Sequence, residues 1–159
     1  MTMERKRSIW PYVIFIFLSL LTGGLATLVS MDGMKAYAYL PQSPLTPPPL
    51  GFSIVWSILY ILMGMSAALV YTAQPRGLKD QHLLYFGTLV LNFLWPVLFF
   101  ALGLRLAALV TLLVMLALGI GTVIRYRPVS RTAAWLQLPY VLWLCFAFYL
   151  NLTAWQLNG

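Results

Sequence analysis

Aromatic and amide side chains recur at helical spacing in the apolar stretch LPYVLWLCFAFYLN, residues 138–151. The residues that lie three or four positions apart in it are Tyr140, Trp143, Ala147 and Asn151. Such a spacing places them on one face of a helix. Small Ala147, between an indole and an amide, is expected to leave a slot with an aromatic wall. The chemistry this face offers is stacking and hydrogen bonding to a flat, mostly apolar molecule.

Two other apolar stretches carry a similar face. Over residues 83–102 it comprises Tyr85, Thr88, Asn92, Trp95, Pro96 and Phe99, and over residues 51–73 it comprises Phe52, Ser53, Trp56, Tyr60, Met63 and Ala67. An amide without a partner in hydrocarbon costs several kcal/mol, so the asparagines are expected to point inward. The candidate ligand-binding residues are Trp56, Tyr60, Asn92, Trp95, Phe99, Tyr140, Trp143, Ala147 and Asn151. The alternative interpretation has the asparagines joining helices and the tryptophans lying at the membrane interface.

Ionisable side chains are missing where ion transport or metal chemistry would need them. The predicted spanning segments contain no Asp, Glu, Lys or His, and the single histidine, His82, falls in a predicted loop. Proton relays and ion-coupled transporters use such groups within the membrane. We therefore expect no metal site and no required cofactor.

The elements that must position these residues are five apolar segments: 9–30, 51–73, 83–102, 106–124 and 133–155. Each has about 20 residues, the length of a membrane-spanning helix. Only 8% of the 159 residues are charged, against roughly 25% in soluble domains. The sequence predicts an all-α membrane protein, a five-transmembrane-helix bundle forming one domain over residues 1–159. A proline-rich outer loop, 31–50, is expected to act as a lid or as a simple connector.

Basic residues predict the orientation. The net charge is +7, and the Lys and Arg residues before the first segment, between the second and third, and between the fourth and fifth are Arg5, Lys6, Arg7, Arg76, Lys79, Arg125, Arg127 and Arg131. Only Lys35 and Arg105 fall on the other side. By the positive-inside rule the N-terminus is cytoplasmic and the C-terminus outside. The expected location is a bacterial cell membrane. Membrane lipids, and not nucleic acid, are the expected partners of these charges.

Three motifs in order along the chain resemble the translocator protein family, the tryptophan-rich sensory proteins or peripheral-type benzodiazepine receptors. PYVLWLCFAFYLNLTAW resembles the fifth-helix signature, NFLWPVLFF the third-helix motif, and TPPPLGFSIVWSILYILMG the start of the second helix. The resemblance implies a five-helix bundle, often a homodimer. It also implies binding of tetrapyrroles such as protoporphyrin IX and haem, and in some members of sterols.

The family resemblance extends to a reaction. Some bacterial members are associated with light-dependent breakdown of protoporphyrin, attributed to two tryptophans that match Trp56 and Trp143. These two would be the catalytic residues if the protein is photochemically active. Other pocket positions of the family match Asn92, Trp95, Phe99 and Ala147.

The chain also departs from the family pattern. Ala36 and Leu45 stand where the first loop usually carries tryptophan, and Thr111 stands where the fourth helix often holds an aspartate. The sterol-recognition pattern is missing after Leu150. The leading hypothesis is a membrane tetrapyrrole-binding protein with a sensory or regulatory role. The alternatives are a light-dependent porphyrin-degrading enzyme and a lipid- or sterol-binding structural membrane protein.

Overall fold

The computed structural model describes residues 8–73 and 80–159, which form five α-helices. These are α1 (Trp10–Tyr37), α2 (Pro49–Ala73), α3 (Asp80–Pro96), α4 (Arg105–Tyr126) and α5 (Arg131–Asn158), with a π-helical segment, Val97–Ala101, extending α3. Including this π-segment, all five helices are long and apolar enough to cross a membrane. The predicted fold class, a five-helix integral membrane protein, is confirmed.

The helices pack in the cyclic order α1–α2–α5–α4–α3, with α3 and the π-segment closing the ring against α1. A tight turn joins the π-segment to α4, so α3 and α4 are antiparallel neighbours. Gly103 lies in this turn with a φ of 64°, a backbone angle that glycine adopts without strain. Side chains of α2, α3 and α5 meet inside this ring, although α4 lies between α3 and α5 both in the chain and in the ring. The ring thereby unites the three helices that carry the predicted aromatic faces.

The first helix is longer than predicted. It continues to Tyr37, so the connection to α2 spans only residues 38–48, and the predicted loop 31–50 is wrong at its start. No proline occurs in the chain between residue 12 and Pro41, so the backbone N–H groups can extend the helix. The connection is fastened to α5, where Ser43 Oγ lies 3.0 Å from Tyr149 Oη and Asn158 Nδ2 donates to the Pro41 carbonyl at 2.9 Å.

The π-segment follows from Pro96, which lacks the N–H of a regular helix. The segment has the wider backbone hydrogen bonds of a π-helix, with the Leu102 N–H donating to the Val97 carbonyl at 2.9 Å. Helix α1 approaches this segment so closely that a Cβ at Gly33 would collide with the carbonyl oxygen of Phe100. The last turn of α1 thereby sets Tyr37 against the π-segment.

Small residues also bring α1 and α2 together. A Cβ at Gly64 would lie 2.6 Å from the backbone nitrogen of Ile16, and one at Gly23 would collide with the ring of Tyr60. The sequence suggests a small-residue stripe of Ser19, Gly23 and Thr27. Thr27 is exposed, however, and the buried stripe continues instead through Ala26 and Ser30.

His82 does not lie in a loop, as the sequence suggested. It is the third residue of α3 and is only 1% exposed. Its ring stacks on Phe15 at 5.8 Å between centroids and meets the Tyr71 ring edge-on at 5.7 Å. The loop prediction failed because Asp80, in the first turn, begins the helix before its apolar run starts.

Candidate ligand site

The nine predicted ligand-binding residues come together between α2, α3, the π-segment and α5. Eight of them are 8% exposed or less: Trp56, Tyr60, Asn92, Trp95, Phe99, Tyr140, Ala147 and Asn151. Trp143 is half-buried and packs against the same core. We call this set, together with Phe52, the aromatic cluster.

A continuous stack of rings forms the centre of the aromatic cluster. Trp56 of α2 lies against Trp95 of α3 with ring centroids 6.1 Å apart and planes 27° apart. Trp95 in turn lies against Phe99 at 5.5 Å and 24°. Tyr60 also contacts Trp56, with ring centroids 5.7 Å apart and planes tilted by 35°. These offset arrangements are the ones that aromatic rings prefer.

The two asparagines join helices, as the alternative interpretation of the sequence held. Asn92 Nδ2 donates to the Thr88 carbonyl at 2.8 Å and to Tyr140 Oη of α5 at 2.9 Å. Asn151 Oδ1 accepts from Trp95 Nε1 at 3.0 Å, and its Nδ2 donates to the Arg105 carbonyl at 2.8 Å. Asn151 therefore holds α3, α4 and α5 in register.

Three polar atoms of the aromatic cluster are buried without a hydrogen-bond partner among the described residues. They are the indole Nε1 of Trp56, the indole Nε1 of Trp143 and the Oδ1 of Asn92. Buried polar atoms are nearly always paired, because leaving one unpaired costs about 1–3 kcal/mol. Two donors and one acceptor in one aromatic cluster are therefore the groups with which a bound molecule would pair.

The comparison with known proteins agrees with the motifs. The TspO/MBR family model matches residues 12–156. The chain belongs to this family. Translocator protein from Bos taurus is 36% identical over 152 residues, covering 93% of this chain and 90% of that protein.

Microbial TspO/MBR relatives are about as similar. Tryptophan-rich protein TspO from Chlorobaculum tepidum is 35% identical over 124 residues, which are 77% of this chain and 78% of that protein. Protein CrtK from Rhodobacter capsulatus is 35% identical over 125 residues, with the same two coverages. The similarity therefore extends over most of the bundle in both bacterial and animal members.

Two side chains of this TspO/MBR chain were missing from the predicted site. Phe52 touches both Trp56, at 6.1 Å, and Trp143, at 6.3 Å, and is half-buried. Its four-residue spacing from Trp56 was the available signal. Tyr37 meets Phe99 edge-on at 5.1 Å. Its place in α1 was hidden because the helix end was predicted too early.

Ala147 lies inside the aromatic cluster rather than beside open space. Its side chain is 2% exposed and belongs to the same buried core as the ring stack. A larger side chain there would have to displace its neighbours. The small residue thus lies in the core that α5 shares with α2 and α3.

The aromatic cluster of this TspO/MBR chain offers ring faces, two indole donors and one amide acceptor. No group of three or more metal-binding side chains occurs among residues 8–73 and 80–159. Buried His82 precedes Asn92 by ten residues, which is about 15 Å along a helix axis. The arrangement can stack on a flat ring, donate two indole hydrogen bonds and accept one.

Proposed function

We propose that this protein binds a tetrapyrrole such as protoporphyrin IX or haem at the aromatic cluster, in a sensory or regulatory role. The observation that supports the proposal best is the pair of buried indole N–H groups, on Trp56 and Trp143, that have no partner among the described residues. They lie beside a stack of aromatic rings. A porphyrin combines a flat aromatic face with carboxylate acceptors at its edge.

Energetics favour such a ligand over a lipid chain. Each aromatic pair adds about 0.5–1.5 kcal/mol beyond the area it buries. A hydrogen bond to a buried donor contributes a net of about 0.5–1.5 kcal/mol. A saturated acyl chain offers neither a π-face nor an acceptor, so it would leave both indole donors unpaired.

Access to the aromatic cluster is proposed to run past Phe52 and Trp143. These two are its half-buried members, whereas the rings of Trp56, Trp95 and Phe99 are buried. A porphyrin is larger than any gap between rings in contact, so side chains must move to admit it. Rotating a half-buried side chain breaks fewer contacts than rotating a buried one.

We test the proposal by titrating purified protein with protoporphyrin IX and following the Soret band and tryptophan quenching. The protein should bind it saturably, and Trp56→Phe/Trp143→Phe should weaken binding about tenfold or more by removing both donors. Trp135→Phe is the matched control, because Trp135 is 70% exposed on α5. Equal affinity for all three proteins would refute binding at this site.

Illumination of the complex then separates a binding protein from a porphyrin-degrading enzyme, since only the enzyme bleaches the ligand in repeated turnovers.

The proposed orientation has the N-terminus in the cytoplasm of a bacterial cell and the C-terminus outside. It rests on the distribution of the ten basic residues. Reporter fusions at residue 1 and residue 159 should report opposite sides, as five spans require. Reporters on the same side would contradict the proposed topology.

A further inference from the structure

A groove between α4 and α5 lies away from the aromatic cluster, at the end of the bundle where α4 stops and α5 begins. Its volume is about 450 Å³, and its lining is Val123, Arg127, Arg131, Ala134, Trp135 and Leu138. A second cavity of about 430 Å³ shares both arginines with it. Arg127 and Arg131 thus line both cavities.

The two arginines carry charge that the protein does not neutralise within the part of the chain that the structure describes. The ion pair found there joins Lys35 and Asp32, at 3.9 Å, on another element. Arg127 and Arg131 are both exposed and flank the connection between α4 and α5. Two exposed arginines that line the same two cavities favour a phosphate, which Arg binds through two parallel hydrogen bonds.

The rest of the groove is apolar and runs into the membrane-spanning part of the bundle. Leu138 lies seven residues after Arg131, which is about 10 Å along the axis of α5. Val123 and Ala134 complete the apolar wall. Trp135 is 70% exposed beside it, a position typical of the membrane–water interface. A ligand of the whole groove therefore has an anionic head and a hydrocarbon tail.

We propose that this groove binds an anionic phospholipid, its phosphate on Arg127 and Arg131 and an acyl chain along Val123, Ala134 and Leu138. Charge complementarity selects this occupant. A zwitterionic lipid would bring its own cation close to two unneutralised guanidinium groups. Inorganic phosphate would leave the apolar wall uncovered. The site is independent of the tetrapyrrole proposal, since it shares no residue with the aromatic cluster.

Native mass spectrometry of the full chain in detergent tests the charge requirement. Phosphatidylglycerol should be retained about tenfold more than phosphatidylcholine, a difference of about 1.4 kcal/mol. R127Q/R131Q should abolish that preference without changing the melting temperature in lipid-free detergent, because both side chains are exposed. R125Q is the matched control, since Arg125 is exposed on the same end of α4 but lines neither cavity. An equal loss of preference in R125Q would overturn the proposal in favour of unspecific surface attraction.

Two further arms test the hydrocarbon tail. Leu138→Phe should reduce retention of phosphatidylglycerol, whereas Leu142→Phe, at a residue 70% exposed and outside the groove, should not. Millimolar inorganic phosphate should not raise the melting temperature of the wild type as phosphatidylglycerol does. Equal retention by the two leucine variants, or equal stabilisation by inorganic phosphate, would overturn the assignment of a lipid.

Discussion

The two faces of α2 are built on different principles. Toward α1 the helix presents Gly64, whose missing side chain admits the backbone of Ile16. There Tyr85 of α3 completes the contact by donating to the Phe15 carbonyl at 2.8 Å while its oxygen lies 2.8 Å from Ser19 Oγ. Toward α3 and α5 the helix presents Trp56, whose indole N–H is buried without a partner among the described residues.

The difference separates a contact that only holds the bundle from one that can also bind. Where the polar atoms pair within the protein and backbones touch, nothing remains for a ligand. Where large rings pack around an unpaired donor, the buried donor costs free energy, and a ligand that accepts its hydrogen bond removes that cost. Around Gly64 and Trp56, hydrogen bonding therefore distinguishes the two faces. Nearer the start of α3 the distinction ends, because His82 is buried against Phe15 and Tyr71 with neither ring nitrogen paired among the described residues.

The largest expected effect comes from breaking the close contact. Gly64→Ala places a Cβ within 2.6 Å of the Ile16 backbone nitrogen, which cannot rotate away. We expect a loss of about 3 kcal/mol or more in the free energy of unfolding. Gly24→Ala is the control, because a Cβ at Gly24 meets nothing within 4 Å. It should stabilise α1 by up to about 1 kcal/mol through helix propensity. Thermal unfolding in detergent measures both, and equal melting temperatures would show that the close contact is not required.

The next effect comes from overfilling the ligand-binding face. Ala147→Leu must displace buried neighbours, so it should cost about 1–3 kcal/mol of stability and weaken porphyrin binding at least about tenfold. Cys145→Leu adds similar bulk on the exposed face of the same helix and should do neither. Binding titrations at a temperature where both variants are folded give the comparison. Unchanged porphyrin affinity in Ala147→Leu would place the ligand elsewhere.

A smaller effect is expected from Trp143→Phe alone. Phenylalanine keeps a ring against Phe52 but loses one donor, so affinity should fall by only about 2- to 13-fold, equivalent to about 0.5–1.5 kcal/mol. If the protein breaks down porphyrin under light, that reaction should fall more steeply, because indole is the more easily oxidised ring. Absorbance under illumination measures it. Breakdown at the wild-type rate would exclude a photochemical role for Trp143.

The smallest expected difference lies between two ligands. Haem and metal-free protoporphyrin IX should bind with similar affinity, because buried His82 lies about 15 Å along α3 from Asn92. His82→Leu should leave the ratio of the two affinities unchanged. A haem preference of a hundredfold, about 2.8 kcal/mol, would show that the metal has a protein ligand. Loss of that preference in His82→Leu would identify the histidine as the ligand.

The sequence alone determined the elements and the faces. Five apolar segments of spanning length, and tryptophans repeating at helical spacing, follow from residue type and periodicity, which are local properties. The same periodicity placed Trp56, Trp95 and Tyr140 on inward faces, and all three are buried. The ends of the helices were predicted less accurately than their centres. Polar residues such as Asp32 and Asp80 occur within the helices at their ends, where hydropathy stops being informative.

Only the tertiary structure decided which atoms are satisfied and which are left unpaired. Asn92 and Asn151 looked alike in the sequence, yet Asn151 uses its carbonyl oxygen on Trp95 whereas Asn92 leaves its own unpaired. The depth of His82 and the groove at Arg127 and Arg131 likewise depend on how helices far apart in the chain meet. The physical reason is that a hydrogen bond or a cavity between helices forms where two helix surfaces meet. The periodicity of the sequence describes the surface of one helix at a time.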